Sequence, residues 1–178
     1  MLKKILLAIV FLALPLAYYA STQPDTLHVE RTLSIRSTPE KIFPFIEDLH
    51  RWEEWTPYNK DPAMKKTFMG SPKGVGASYA WQGNAEVGQG EITITRSTPP
   101  EQVSLDLRMI KPISALNTVK LTLHRTGAST QVTWSMDCKQ TVLSKVLTAL
   151  YISDYLIGRD FELGLSNLKV AVENNTRP

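Results

Sequence analysis

Cysteine is almost absent from this sequence, since Cys138 is the only one among 178 residues. A single thiol excludes an internal disulfide and any metal site built from several cysteines. The three histidines, His28, His50 and His124, are far apart and form no HxxxH pattern. We therefore expect no metal ion and no other cofactor. Cys138 follows the alternating run 132–137, which predicts a small apolar strand residue rather than a nucleophile.

An excess of charge of one sign is also lacking. The chain has 20 lysine and arginine residues against 17 aspartate and glutamate residues, and Lys3 and Lys4 supply two units of the net charge of +3. No basic cluster or stripe follows, so the sequence does not indicate a nucleic-acid partner. It carries no signal for a particular oligomeric state either.

A catalytic pair is not recognisable in the sequence. The neighbouring carboxylates of Glu53 and Glu54 would point away from each other on a helix. Two Gly-x-Gly pairs, 74–76 and 88–90, lack the following helix that a phosphate-binding loop requires. They are more typical of strands that bend where a sheet curls tightly. The sequence thus gives no candidate catalytic residue.

The one long apolar run lies at the N-terminus. Residues 5–20 contain no charge and follow Lys3 and Lys4, a pattern typical of a segment directed to the membrane with its N-terminus inside. A small-x-small cleavage site is poorly formed, which favours an uncleaved anchor; a cleaved signal peptide and an apolar first strand are the alternatives. We assign residues 1–24 to this segment and residues 25–178 to a domain on the extracytoplasmic side, membrane-anchored or, after cleavage, secreted or periplasmic.

Alternation of apolar and polar residues dominates the middle of the chain. Seven runs show this period of two, which predicts strands with one covered face. Gly- and Pro-containing turns separate most of them at spacings typical of an antiparallel meander. The seven predicted strands are 27–36, 64–69, 75–82, 87–96, 103–109, 115–123 and 131–136.

Helices are predicted at two places. Thr38 and Pro39 form a helix start, and Pro44 should bend or shorten that helix. An aromatic elbow with Trp52, Trp55 and Tyr58 follows. Near the C-terminus, residues 141–173 carry apolar side chains at helical spacing, with a bend expected near residue 153 or 158. The expected fold is α+β, a curved antiparallel sheet of about seven strands around this long helix.

The order of strand, two short helices, six strands and long helix resembles the helix-grip fold of the START-like SRPBCC superfamily, in its polyketide cyclase/dehydrase and lipid transport branch. The resemblance spans residues 28–173, and Pro44 departs from it. The motifs that carry it are Thr38-Pro39-Glu40-Lys41-Ile42-Phe43, Trp52-Glu-Glu-Trp55-Thr-Pro57, Gly74-Val-Gly76-Ala-x-Tyr79-x-Trp81-x-Gly83-Asn84, Val87-Gly88-x-Gly90 and Thr130-x-Val132-x-Trp134-x-Met136.

The resemblance implies binding of a hydrophobic small molecule, lipid-like or polycyclic, in an internal cavity. Two alternatives stay open: a cyclase or dehydratase acting on a polyketide-like substrate, and a partner-binding domain with a closed core and no ligand. An internal volume would separate the last from the other two.

Candidate cavity residues are the large or polar side chains at inward positions of the strands, the elbow and the final helix. Gly88 and Gly90 should leave space opposite Tyr79 and Trp81, and the mouth is expected between an exposed aromatic elbow and the final helix. The same residues could instead simply fill the core. The candidates are Trp55, Tyr58, Tyr79, Trp81, Gly90, Met109, Asn117, Trp134, Met136, Phe161 and Leu165.

Overall fold

A computed structural model describes residues 11, 15, 18, 19, 21–140, 145 and 152–175 of the chain. Most of the predicted N-terminal segment, residues 1–24, lies outside these described residues. Residues 143, 144 and 146–151 of the predicted first helical segment, residues 143–155, also lie outside them. Among the described residues, no helix combines the length and apolar character needed to cross a membrane.

The described chain contains seven strands, two α-helices and one 3-10 helix, in the predicted order. The predicted strand boundaries agree with the observed ones within a few residues. The elements are β1 (Thr26–Ile35), α1 (Pro39–Glu47), the 3-10 helix (Leu49–Glu54), β2 (Lys65–Gly70), β3 (Ala77–Gln82), β4 (Gln89–Thr98), β5 (Gln102–Lys111), β6 (Ala115–Thr126), β7 (Ser129–Lys139) and α2 (Ile152–Asn175).

The strands form one antiparallel sheet in the order β1-β7-β6-β5-β4-β3-β2. Strands β2 to β7 are therefore a meander, and β1 completes the sheet beside β7. The register shifts within the β4–β5 pairing, near Gly90 and between Ile94 and Arg96. Such bulges increase local bending and twist, which helps the sheet curve around a helix. The predicted helix-grip architecture is confirmed.

Helix α2 lies against the concave face of this sheet, mainly against β1. It continues through residues 153 and 158, where a bend was expected. Its buried stripe consists of Phe161, Leu165, Leu168 and Val172, each at most 1% exposed. Steps of four, three and four residues place these side chains on one face. Fully burying each one is worth roughly 1.5–3 kcal/mol, which fixes the helix on the sheet.

Helix α1 begins as predicted, with Thr38 at the N-cap and Pro39 in the first turn. Pro44 lies inside the helix with its ring exposed. A proline there cannot donate the intrahelical hydrogen bond, which keeps the helix short. The chain then enters the 3-10 helix, whose first turn is capped by Asp48 Oδ1 accepting from the backbone N–H of His50 at 2.9 Å.

The aromatic elbow differs from the expectation. Trp52 and Trp55 are buried, at 4% and 1% exposure, and only Tyr58 is exposed, at 38%. The indole N–H of Trp52 donates to the carbonyl oxygen of Ile46, and that of Trp55 to the carbonyl oxygen of Phe45. Because both polar atoms of these rings are satisfied by α1, the rings can enter the core without an unpaired donor.

Candidate functional site

The concave face of the sheet is organised as rows of directly paired residues that cross several strands. One row runs through Ile94, Leu105, Val119, Met136 and Val29, counted along β4, β5, β6, β7 and β1. All five side chains are buried, at 7% exposure or less. Beyond this row toward the β6–β7 turn, Val103, Leu121 and Val132 are fully buried, whereas Arg31 and Leu33 of β1 are only partly buried. We call this half of the concave face the closed end, because most of its inward side chains are buried.

The next two rows lie toward the end of the sheet where β1 begins, and we call them the open end. The first contains Tyr79, Ile92, Leu107, Asn117 and Cys138. The second contains Trp81, Gly90, Met109 and Ala115. These side chains face the same side of the sheet as those of the closed end. Most of them are nevertheless only partly buried, namely Tyr79, Trp81, Leu107, Met109, Ala115 and Cys138. The helix thus covers one half of the concave face more completely than the other.

Tyr58 reaches the open end from the segment after the 3-10 helix. Its side chain is 38% exposed, yet burial raises the pKa of its phenol, and the charges of Asp160, Tyr79 and Cys138 raise it further. Because the charges of these three groups reach its phenol, Tyr58 lies where β3, β7 and α2 approach one another at the open end.

Tyr79 and Trp81 form one wall of the open end. Burial, with a smaller contribution from the charge of Glu53, raises the pKa of Tyr79 to about 12. Its ring lies 5.9 Å from that of Trp81 and 5.5 Å from that of Phe68. The indole N–H of Trp81 donates to the carbonyl oxygen of Val87 at 3.0 Å. These contacts hold the wall in place.

Gly90 does not leave an empty position, contrary to the expectation. A Cβ added there would lie 2.5 Å from Cζ2 of Trp81 and 2.7 Å from the carbonyl oxygen of Arg108. The indole of Trp81 therefore occupies the space above Gly90. Gly88 has a different role, because its φ of +65° is one that residues with a side chain rarely adopt.

Asn117 is the polar member of the first row, between Leu107 and Cys138, and is 8% exposed. Within the described part of the chain, its side-chain amide makes no hydrogen bond to protein. Its amide atoms are not sealed in the core, so a water or a polar group of a ligand can bond them.

Four of the predicted cavity residues belong to the packed core instead of the open end. Trp55, Trp134, Phe161 and Leu165 are each at most 2% exposed. The rings of Trp134 and Phe161 stack with centroids 4.3 Å apart. Gly164 allows this contact, since a Cβ there would lie 2.6 Å from Cζ3 of Trp134. Met136 is also buried, in the row that borders the open end.

Sequence reasoning passed over two features of the concave face. Arg31 occupies an inward position of β1, and its Nε donates to Glu162 Oε1 of α2 at 2.8 Å. Its guanidinium lies against Gly158, where any side chain would collide with it. The sequence did contain a signal: Arg31 lies between Val29 and Leu33 in the strand alternation, which places its side chain on the inward face. Leu107 and Cys138 were also missed as members of the open end, although both lie at inward positions of their strands.

Two pockets lie away from the open end. A small pocket of about 120 Å³ is bordered by Leu49, His50 and Phe68 near the β2–β3 turn. A broader groove of about 660 Å³ on the convex face is lined mostly by polar side chains, including Glu91, Asp106 and Arg108. Among the described residues, no group of three or more His, Cys, Asp or Glu side chains is placed to hold a metal ion.

Comparison with known proteins points to one family. The family described as polyketide cyclase / dehydrase and lipid transport matches residues 26–173. No curated protein matches the sequence significantly.

Solved structures share the fold at low sequence identity. A protein from Thermus thermophilus is 14% identical with a TM-score of 0.61, and the match covers 85% of this chain and 100% of that one. A protein from Mesorhizobium loti is 17% identical with a TM-score of 0.60, covering 86% and 99%. DynU16, a protein in the dynemicin biosynthetic locus, is 15% identical with a TM-score of 0.58, covering 86% and 49%. At these identities the likeness concerns the fold alone.

Proposed function

The chain belongs to the polyketide cyclase / dehydrase and lipid transport family, and we propose that its open end binds a hydrophobic small molecule, lipid-like or polycyclic, in an internal cavity. One observation carries the proposal: most inward side chains of a single sheet face are buried at one end, and most are only partly buried at the other. Apolar side chains that face inward without being covered are the usual lining of a ligand site.

The polar groups at the open end suit a ligand that is mostly apolar with one polar part. The phenols of Tyr58 and Tyr79 are protonated at neutral pH, as ordinary tyrosines are, and burial raises the pKa of both further. A protonated phenol donates a hydrogen bond, and the Asn117 amide can both donate and accept. We infer that a carbonyl, hydroxyl or carboxyl group of the ligand contacts these side chains, while its apolar part contacts Leu107, Met109 and Trp81.

A cyclase or dehydratase activity is the second candidate, because Tyr58 lies near the carboxylate of Asp160. General acid–base catalysis works best when the pKa of the group lies near the working pH. At the open end the pKa values move away from neutral pH: the pKa of Tyr79 rises to about 12 and that of Cys138 to about 11. Binding without turnover is therefore the function that we favour.

We further propose that residues 1–24 hold this domain at the cell membrane on the extracytoplasmic side. Support comes from the charge-free run 5–20 behind Lys3 and Lys4. Fractionation with intact-mass analysis tests it. A product in the soluble fraction that begins near residue 21 would replace the anchor by a cleaved signal peptide.

Native mass spectrometry of the full chain, released from detergent, tests the binding proposal. We expect a copurified hydrophobic molecule in wild-type protein and its loss in Leu107→Trp, which fills the first row of the open end. Thr118→Trp is the matched control, because Thr118 is exposed on the neighbouring strand. Equal ligand content in both variants, with unchanged circular dichroism, would contradict binding at the open end.

A further inference from the structure

Three aliphatic side chains are exposed within seven residues of the chain, around the turn that joins β5 to β6. Ile110 is 44% exposed, Ile113 58% and Leu116 54%. The main-chain pairing of Met109 with Ala115 closes this hairpin at its base. We call residues 110–116 the hairpin tip. Exposed aliphatic residues concentrated in this way mark contact with an apolar partner.

The sheet register places the hairpin tip at the same end of the molecule as the start of β1. Thr26 pairs with Lys139, and the adjacent Cys138 pairs with Asn117 of β6, one residue beyond Leu116. Strand β6 lies two strand positions from β1, a distance of roughly 10 Å. The N-terminal segment therefore enters the domain beside the hairpin tip and the open end.

The connection between the apolar run and the domain is short. Residues 21–25 separate the end of that run from Thr26. Five residues span at most about 18 Å when fully extended. If residues 5–20 lie in a bilayer, the end of the sheet that carries Thr26 and the hairpin tip stays close to that bilayer.

The charges at this end suit a surface with anionic headgroups. Lys111, inside the hairpin tip, and Lys139, beside Thr26, are exposed and make no ion pair within the described part of the chain. The neighbouring carboxylate of Asp137 is paired with His28, and that of Asp25 with Lys145. Unpaired lysines next to aliphatic residues favour an anionic lipid surface over a neutral protein surface.

We propose that the hairpin tip inserts its aliphatic side chains into the bilayer that holds the N-terminal segment, and that the open end of the concave face is thereby turned toward the lipid. The inference rests on the membrane attachment proposed above. A hydrophobic ligand would then pass between bilayer and cavity at this end, without crossing water.

The test uses the full chain reconstituted in vesicles of phosphatidylcholine and phosphatidylglycerol. An environment-sensitive NBD label is attached to Ile113→Cys, in the background Cys138→Ser. Val75→Cys is the matched control, because Val75 is an aliphatic residue of similar exposure, 56%, in the β2–β3 turn at the opposite end of the sheet. Quenching by lipids with a nitroxide in the acyl chain reports contact with the bilayer interior.

We expect several-fold stronger quenching at position 113 than at position 75. Combining Lys111→Glu and Lys139→Glu should weaken the quenching at position 113. Equal, weak quenching at both positions in vesicle-bound protein overturns the docking while leaving anchor and ligand binding intact. Stronger quenching at position 75 overturns the orientation. Crosslinking of Ile113→Cys between two copies, without quenching, would assign the hairpin tip to a protein interface instead.

Separate readouts distinguish failure of this inference from failure of the proposed function. Protein that does not float with the vesicles disproves the anchor and, with it, the docking. Quenching at position 113, together with wild-type protein that contains no copurified hydrophobic molecule, supports the docking and contradicts the ligand proposal. Circular dichroism of each labelled variant confirms that the fold is retained.

Discussion

At the scale of single residues, inward-facing side chains differ in burial according to how far they lie from the end of the sheet where β1 begins. Leu105 and Leu107 are two residues apart on one strand; the first is fully buried and the second is not. At the open end, burial raises the pKa values of titratable groups such as Cys138 and Tyr79, although both residues are still partly exposed to water. Their reactivity and their pKa values are therefore direct probes of the site.

Cys138 provides such a probe, since it is the only thiol of the chain. Burial, and secondarily the charge of Asp137, raises its pKa from 9.0 to about 11. Only the thiolate reacts, so at pH 8 we expect alkylation of the folded protein to be roughly 100-fold slower than that of the unfolded chain. A bound hydrophobic ligand should slow it further. Equal rates in folded and urea-unfolded protein would show that Cys138 is not shielded.

His28 reports on the pairing of β1 with β7. Its Nδ1 lies 2.7 Å from Asp137 Oδ1, and this hydrogen bond raises the pKa of His28 above 6.5, with a smaller effect from Glu30. In Asp137→Asn we expect an NMR titration to show the pKa falling toward 6.5. Glu30→Gln should produce a smaller change, and the reverse order would contradict this assignment.

The sign of the effect on stability follows from the raised pKa of His28. The ion pair stabilises the folded protein fully below pH 6.5, and this stabilisation is lost as pH rises through the folded-state pKa. Because the His28 side chain is 54% exposed, the contribution is only a few tenths of a kcal/mol.

At the scale of elements, helix α2 closes the core through one face. Phe161 and Leu165 are each 1% exposed, whereas Leu163 on the same helix is 50% exposed. We expect Phe161→Ala and Leu165→Ala each to lower the free energy of unfolding by about 2–5 kcal/mol. Leu163→Ala should change it by less than about 0.5 kcal/mol. Urea denaturation measures all three, and similar losses for all three would mean that α2 is not seated as described.

Gly164 shows how tightly α2 packs on Trp134. A Gly→Ala change inside a helix usually stabilises it by about 1 kcal/mol. Here the added Cβ would lie 2.6 Å from Cζ3 of Trp134 and 3.2 Å from Cδ of Pro57. We expect Gly164→Ala to lower the free energy of unfolding by about 1–3 kcal/mol instead, because the indole is held among other rings. A higher melting temperature for this variant would contradict the close packing.

At the scale of the whole molecule, ligand binding should couple to stability. A ligand that binds only the folded chain adds about 2.7 kcal/mol at a free concentration of 100 times its Kd. Protein stripped of copurified hydrophobic molecules should therefore melt at a lower temperature than the protein as purified. Leu107→Trp should abolish this difference, and Thr118→Trp should keep it. No difference in wild-type protein would favour a closed core without ligand.

Much of the architecture was accessible from the sequence, because the period of a strand or helix is a local property. Alternating runs predicted all seven strands, and the spacing of Phe161 and Leu165 predicted the buried face of α2. The N-cap at Thr38 and the shortening effect of Pro44 were likewise readable from neighbouring residues. Tyr79, Trp81, Met109 and Asn117 were also placed on the correct face.

The depth of each side chain was decided only by the tertiary structure. Trp55 and Trp134 are buried because α1, β7 and α2 meet around them, although these elements are far apart in sequence. The position above Gly90 is filled because the indole of Trp81 turns toward Val87. Arg31 fits between sheet and helix only because Gly158 lies opposite it. Alternation in a strand specifies a face; how far α2 covers that face depends on sheet curvature and on contacts between distant residues.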